Sequence, residues 1–151
     1  MHTRLLPLYL CFFLSGSAAL IYEIVWQRML TLVFGVSTWS IAAVLSAYMA
    51  GLALGAWAFG RLADRTHHVV RAYGLVELGI LLTGIAVSWS IDPLMAVYVK
   101  LAGGGEHGYY FTHLIRFALA LAVFVVPSTL IGGTIPLMSR MVARHAGALG
   151  I

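Results

Sequence analysis

From Thr38 to Phe59 the chain runs 22 residues without a charged side chain. At 1.5 Å of rise per residue, a helix over this run is roughly 30 Å long, which matches the hydrocarbon core of a bilayer. Three further apolar segments of similar length surround it. The pattern predicts four membrane helices, at about 5–32, 38–59, 72–91 and 114–141. Phe34-Gly35-Val36-Ser37 reads as the first turn, with Ser37 or Thr38 capping the next helix. The second connection is read as 60–71, with Gly60 ending the second helix, as glycine often does. The third is read as 92–113. There Asp92-Pro93 starts a short interfacial segment at 94–101, and Gly103-Gly104-Gly105 breaks any helix.

Composition supports lipid as the surrounding solvent. The 151 residues are 62% hydrophobic and 9% charged, too apolar for a folded aqueous domain of this size. The expected fold class is an all-α membrane protein, a single four-helix transmembrane bundle over 1–151. The start of the chain imitates a secretory signal peptide: a basic Met1–Arg4 stretch, an apolar 5–14 run and the small residues Ser15 to Ala19. The apolar run continues through Leu20, Ile24 and Trp26, so it reads as an uncleaved first helix.

The net charge of +4 does not point to nucleic acid, because the basic residues sit at the ends of apolar runs. Arg4, Arg61, Arg65, Arg71, Arg140 and Arg144 fall on one side, and Arg28, Lys100 and Arg116 toward the other. By the positive-inside rule both termini face the cytoplasm. The lone Cys11 supports neither an intramolecular disulfide nor a cysteine metal site.

Few residues can carry chemistry. Glu23 and Glu77 are the only acids inside apolar runs. A charge at the bilayer centre costs about 2.5–3.5 kcal/mol on insertion scales, so each needs a partner, a cavity or a proton. Glu23 precedes Arg28 by five residues. One reading is an ion pair or hydrogen-bond network near the outer interface, flanked by Tyr22 and Trp26 as belt aromatics. The other is a proton- or cation-binding carboxylate lining a path. For Glu77 the bland reading is a basic partner on another helix. The loop residues Gly60, Asp64 and Arg65 can latch neighbouring helices at the cytoplasmic mouth, or form a solvated orientation signal. In the fourth helix Pro127 and Pro136 bracket Gly132-Gly133, which predicts a kink or break and a candidate hinge. Ala43, Ala47, Gly51 and Gly55 make a small-residue ridge for a helix of the same chain or of a second copy. His67, His68, His107 and His113, with Glu106, fit no standard zinc spacing. No phosphate loop or catalytic set is recognisable, so no metal, cofactor or catalytic residue is expected.

Gly60-x-Leu62-Ala63-Asp64-Arg65 between the second and third helices resembles the loop motif of the major facilitator superfamily. It departs after Arg65, where Thr66-His67-His68 replace the usual glycine and basic residues. A longer set of segments resembles the membrane region of fused major-facilitator/spermidine-synthase-like proteins. These are the stretch from Phe13 to Arg28, Val33 to Thr38, Met49 to Gly55 and Leu130 to Leu137. The resemblance implies a bundle like the first part of a major-facilitator half. It also implies an inner-membrane location, a link to polyamine metabolism and transport, and a partner in the form of an aminopropyltransferase-like domain. None of that catalytic domain lies in these 151 residues. The chain is expected to act as a membrane module beside such a domain, or as a homo-oligomer.

Overall fold

The computed structural model describes residues 6–102 and 108–148, and among these it contains four helices and no strand. Helix α1 spans Leu6–Phe34, α2 Thr38–Arg65, α3 Val69–Ala102 and α4 Tyr109–Ala148. All four are long and apolar enough to cross a bilayer, and the chain is an all-α, multi-pass membrane protein. In hydrocarbon every backbone N–H and C=O needs an internal partner, and long uninterrupted helices supply it.

The first turn forms where the sequence places it. Gly35 adopts φ +82°, the left-handed conformation that favours glycine at a helix end. The Ser37 hydroxyl accepts from the Ser40 N–H at 3.1 Å and caps α2.

The other connections are shorter than expected. Gly60 does not end α2. The helix runs on to Arg65, the Arg61 guanidinium lies 4.1 Å over the Trp57 ring, and the Thr66 N–H closes the end on the Leu62 carbonyl. The connection expected at 60–71 therefore shrinks to 66–68. Asp92-Pro93 starts no separate segment, because α3 continues through Pro93 to Ala102. Pro127 and Pro136 likewise lie inside an unbroken α4. A proline removes one donor from a helix, whereas unwinding at membrane depth would strand several backbone groups. The triple glycine at 103–105, Glu106 and His107 lie outside the described residues.

Packing centres on α2 and α4. The ridge of α2 faces α4: a Cβ on Gly51 would overlap Ser128, and one on Gly55 would overlap the Thr129 backbone. From the other side, a Cβ on Gly132 would overlap the Leu52 backbone and one on Gly133 the Phe59 ring. Glycines of both helices thus interlock, and this ridge serves the single chain rather than a seam between copies. Helix α3 lies against α4, with Leu130 over Gly79, and α1 meets α3 where Tyr22 covers Gly84. Trp26 is not a belt aromatic. It is 1% exposed and stacks between Tyr22 and Phe124 at 5.2 and 5.5 Å. Elsewhere α1 is thinly covered: Phe13, Leu14, Leu20, Ile21 and Ile24 all face outward.

Gly55→Ala and Gly132→Ala should each destabilise the detergent-solubilised protein by about 1–3 kcal/mol, the usual effect of overpacking. Gly16→Ala, whose Cβ would meet nothing within 4 Å, should stay within about 0.5 kcal/mol of the parent. Unfolding monitored by circular dichroism in denaturant would rank the three.

Candidate functional site

Because α1 leans on α3 and leaves α2 and α4 partly uncovered, a cavity of about 520 Å³ opens between them. One wall is α1, from Phe12 through Ser15 and Ala19 to Glu23. The facing wall is Tyr48, Leu52 and Ala56 of α2 with Ile131, Gly132 and Thr134 of α4, and Ile80 of α3 joins them. Leu20 and Met49, both exposed, also line it, so the cavity opens sideways between α1 and α2. Its walls are overwhelmingly apolar, and Glu23 is its one acidic residue.

Glu23 stands about 26 Å of helix rise from Leu6, well inside the apolar length of α1. It forms no ion pair with Arg28, which is exposed. Five residues turn a helix through about 500°, so the two side chains diverge by roughly 140°. Arg28 follows the outward face, while Glu23 shares the cavity wall with Tyr48, itself 4% exposed. The interfacial ion-pair reading is therefore corrected, and the carboxylate lines a cavity.

The candidate hinge residues lie on the same wall or beside it. Gly132 borders the cavity and presses on α2. Its carbonyl also lacks the usual donor, because position 136 is proline. Gly133 packs on Phe59, and Pro127 is fully buried beside Ser128, whose hydroxyl donates to the Phe124 carbonyl. Thr134 satisfies itself by donating to the Ile131 carbonyl at 2.7 Å.

Glu77 lies one turn from Tyr73 on α3, about 12 Å of rise from Val69. Its Oε1 and the Tyr73 hydroxyl are both buried without a hydrogen-bond partner. Among the described residues no basic residue lies within ion-pair distance of Glu77.

At the end of the bundle where α2 meets α3, two arginines of α4 reach across. Arg140 approaches Asp64 at 3.8 Å, and both side chains are well exposed. Arg144 donates to the carbonyls of Thr66 and His67, each at 2.8 Å, and so holds the 66–68 turn. Gly60 and Asp64 border a shallow cavity of about 360 Å³ shared with Pro136 and Arg140. Arg65 is exposed and makes no interhelical ion pair among the described residues.

The opposite end holds a polar junction that sequence reasoning missed. Arg116 of α4 donates to the Tyr98 hydroxyl at 2.9 Å and to the buried Ser40 hydroxyl at 3.1 Å. Ser40 in turn donates to the Phe34 carbonyl, the last residue of α1. One guanidinium thus ties α3, α4 and the α1–α2 turn together. Three polar residues separated by up to 76 positions carry no joint pattern in a linear sequence. A lone arginine at a helix end reads only as an orientation charge.

Arg116→Ala should destabilise the protein by about 1.5–3 kcal/mol, because it leaves the buried Ser40 hydroxyl and the Tyr98 hydroxyl without a charged donor. Asp64→Asn should shift stability by less than about 1 kcal/mol, since the exposed pair with Arg140 is well screened. Denaturant midpoints in one detergent would separate these effects.

Comparison with protein-family models, curated proteins and solved structures finds no match to this chain.

Proposed function

We propose that this chain is a membrane-embedded, transporter-like module that takes up a small organic cation and belongs to a spermidine-synthase-like protein, anchoring or serving polyamine metabolism. The observation that carries the reading is the single carboxylate of Glu23 in an otherwise apolar cavity of about 520 Å³. An apolar wall with one anionic group favours a ligand with a hydrocarbon body and an ammonium end. The polyamine assignment rests on the sequence resemblance. So do the inner membrane and a synthase-like partner domain. The cytoplasmic placement of both termini rests on the arginine and lysine distribution.

A second reading is a fragment or oligomeric subunit of a secondary transporter for such a cation. The lateral opening between α1 and α2, and the outward apolar face of α1, favour it. Another helix laid there would complete the cavity wall.

Purified protein in proteoliposomes should bind a radiolabelled aliphatic diamine saturably. Glu23→Gln should weaken that binding about tenfold or more, as expected for loss of a charge-assisted contact. Equal affinity in parent and variant would remove the cation site. Accumulation inside the vesicles, as opposed to binding alone, would favour transport over anchoring.

A further inference from the structure

The tight α2–α4 contact loosens at the end of the bundle that carries the 66–68 turn. A Cβ on Gly55 would overlap the Thr129 backbone, but one on Gly60 would come no nearer than 4.0 Å to Pro136. The helices part there into the shallow cavity of about 360 Å³, where Gly60, Ala63 and Pro136 lie beside polar Asp64, Ser139 and Arg140. Charge at this end is one-sided. Arg61, Arg65, Arg71, Arg140 and Arg144 stand toward the ends of α2 and α4 and at the start of α3, and among the described residues there Asp64 is the single acid. The Arg140 Nε–H is buried without a hydrogen-bond partner. Its guanidinium meets Asp64 only at 3.8 Å, beyond hydrogen-bond distance. Arg144, by contrast, is engaged by the turn.

This groove continues the larger cavity. Ala56 and Gly60 are one turn apart on α2, and Gly132 and Pro136 on α4, so each pair shares a helix face. The apolar cavity of about 520 Å³ thus begins one turn deeper along the same two faces. Trp57 is 62% exposed beneath the Arg61 guanidinium and marks this level as the boundary between hydrocarbon and headgroups.

We propose that the groove at Arg140 seats the phosphate of an anionic phospholipid, with one acyl chain running along α2 and α4 into the apolar cavity. A guanidinium carries only donors, and phosphate oxygens are the acceptors that match its planar fork. Charge complementarity selects an anion. The apolar continuation selects a lipid over a free phosphate, which would leave the chain path unused. The cavity opens sideways between α1 and α2, so a chain already in the bilayer enters it without crossing water. Asp64 opposes the ligand, because its carboxylate borders the groove and repels a phosphate. Its contact with Arg140 is long and exposed, so a phosphate competes for the guanidinium on favourable terms. The chain lies at the Ala56 end of the cavity, whereas Glu23 stands at the other end, about 16 Å of α1 rise from Phe12. The assignment is therefore independent of the cation reading. If the protein bound no diamine, the lipid seat would stand.

Native mass spectrometry of the detergent-solubilised protein, titrated with phosphatidylglycerol or with phosphatidylcholine of the same chains, reads the site directly. The parent should retain phosphatidylglycerol in preference to phosphatidylcholine. Arg140→Gln should weaken phosphatidylglycerol binding about tenfold, as expected for loss of a charge-assisted contact. Arg65→Gln removes the same charge from the same end, outside the groove, and should have a much smaller effect. Asp64→Asn breaks the same ion pair as Arg140→Gln yet should strengthen binding, because it removes the repulsion. A variant that merely unfolds loses lipid whatever its charge, so these opposite signs keep the test independent of folding. Equal retention of the two lipids, equal effects of the two arginine variants, or weaker binding in Asp64→Asn would each overturn the proposal. Glycerol phosphate, which has the anion but no chains, should fail to displace phosphatidylglycerol at equal concentration. Displacement would make this a soluble-phosphate site and overturn the lipid assignment. Ala56→Phe, at an exposed position on the chain path, should also weaken binding. Unchanged affinity there would overturn the placement of the chain in the cavity.

Discussion

Helices α2 and α4 approach backbone to backbone, and the remaining architecture is arranged around that contact. Lipid tails are as apolar as leucine, so burying more hydrocarbon gives two membrane helices little reason to associate. Close packing supplies the difference. Glycines at 51 and 55 on one side and 132 and 133 on the other let Leu52, Phe59, Ser128 and Thr129 sit where side chains would otherwise stand. The same four glycines that weaken a helix in water are tolerated here, because hydrocarbon offers the backbone no alternative hydrogen-bond partners.

The tight pair has a loose counterpart. Helix α3 joins α4, and α1 is attached to α3 through Tyr22 at Gly84 and to α4 through Trp26 at Phe124. The gap left between α1 and the α2–α4 pair is the cavity, so the cavity is a consequence of unequal packing. Two polar junctions bound the bundle. Arg116 draws Tyr98, Ser40 and the α1–α2 turn together at one end, and Arg144 fastens the 66–68 turn at the other. With both ends tied by hydrogen bonds, the outward-facing middle of α1 is the segment with least to hold it. It carries Ser15 and Glu23.

The two membrane acids occupy different environments on this scaffold. Glu23 borders the open cavity, whereas a buried oxygen of Glu77 stands beside Tyr73, one turn away on α3.

Four spans, their all-helical character and the Gly35–Ser37 turn follow from the order of residues alone. Each depends on local quantities: a run of uncharged side chains long enough for a bilayer, one glycine able to take positive φ, and one serine able to cap. The small-residue ridge at Gly51 and Gly55 was equally visible, but its partner was not. Only the fold decides that α4 rather than a second copy fills it. The helix ends expected at Gly60 and at Asp92-Pro93 do not form, and Pro127 and Pro136 lie inside an unbroken α4. Glycine and proline break helices where water can take up the freed backbone groups, and hydrocarbon cannot do so. The acids Glu23 and Glu77 stood out in the sequence because charge is rare in such segments. Their surroundings did not, since a cavity wall, a buried tyrosine and an arginine that gathers three helices are made by residues distant along the chain. Those relations exist only once packing brings the helices together.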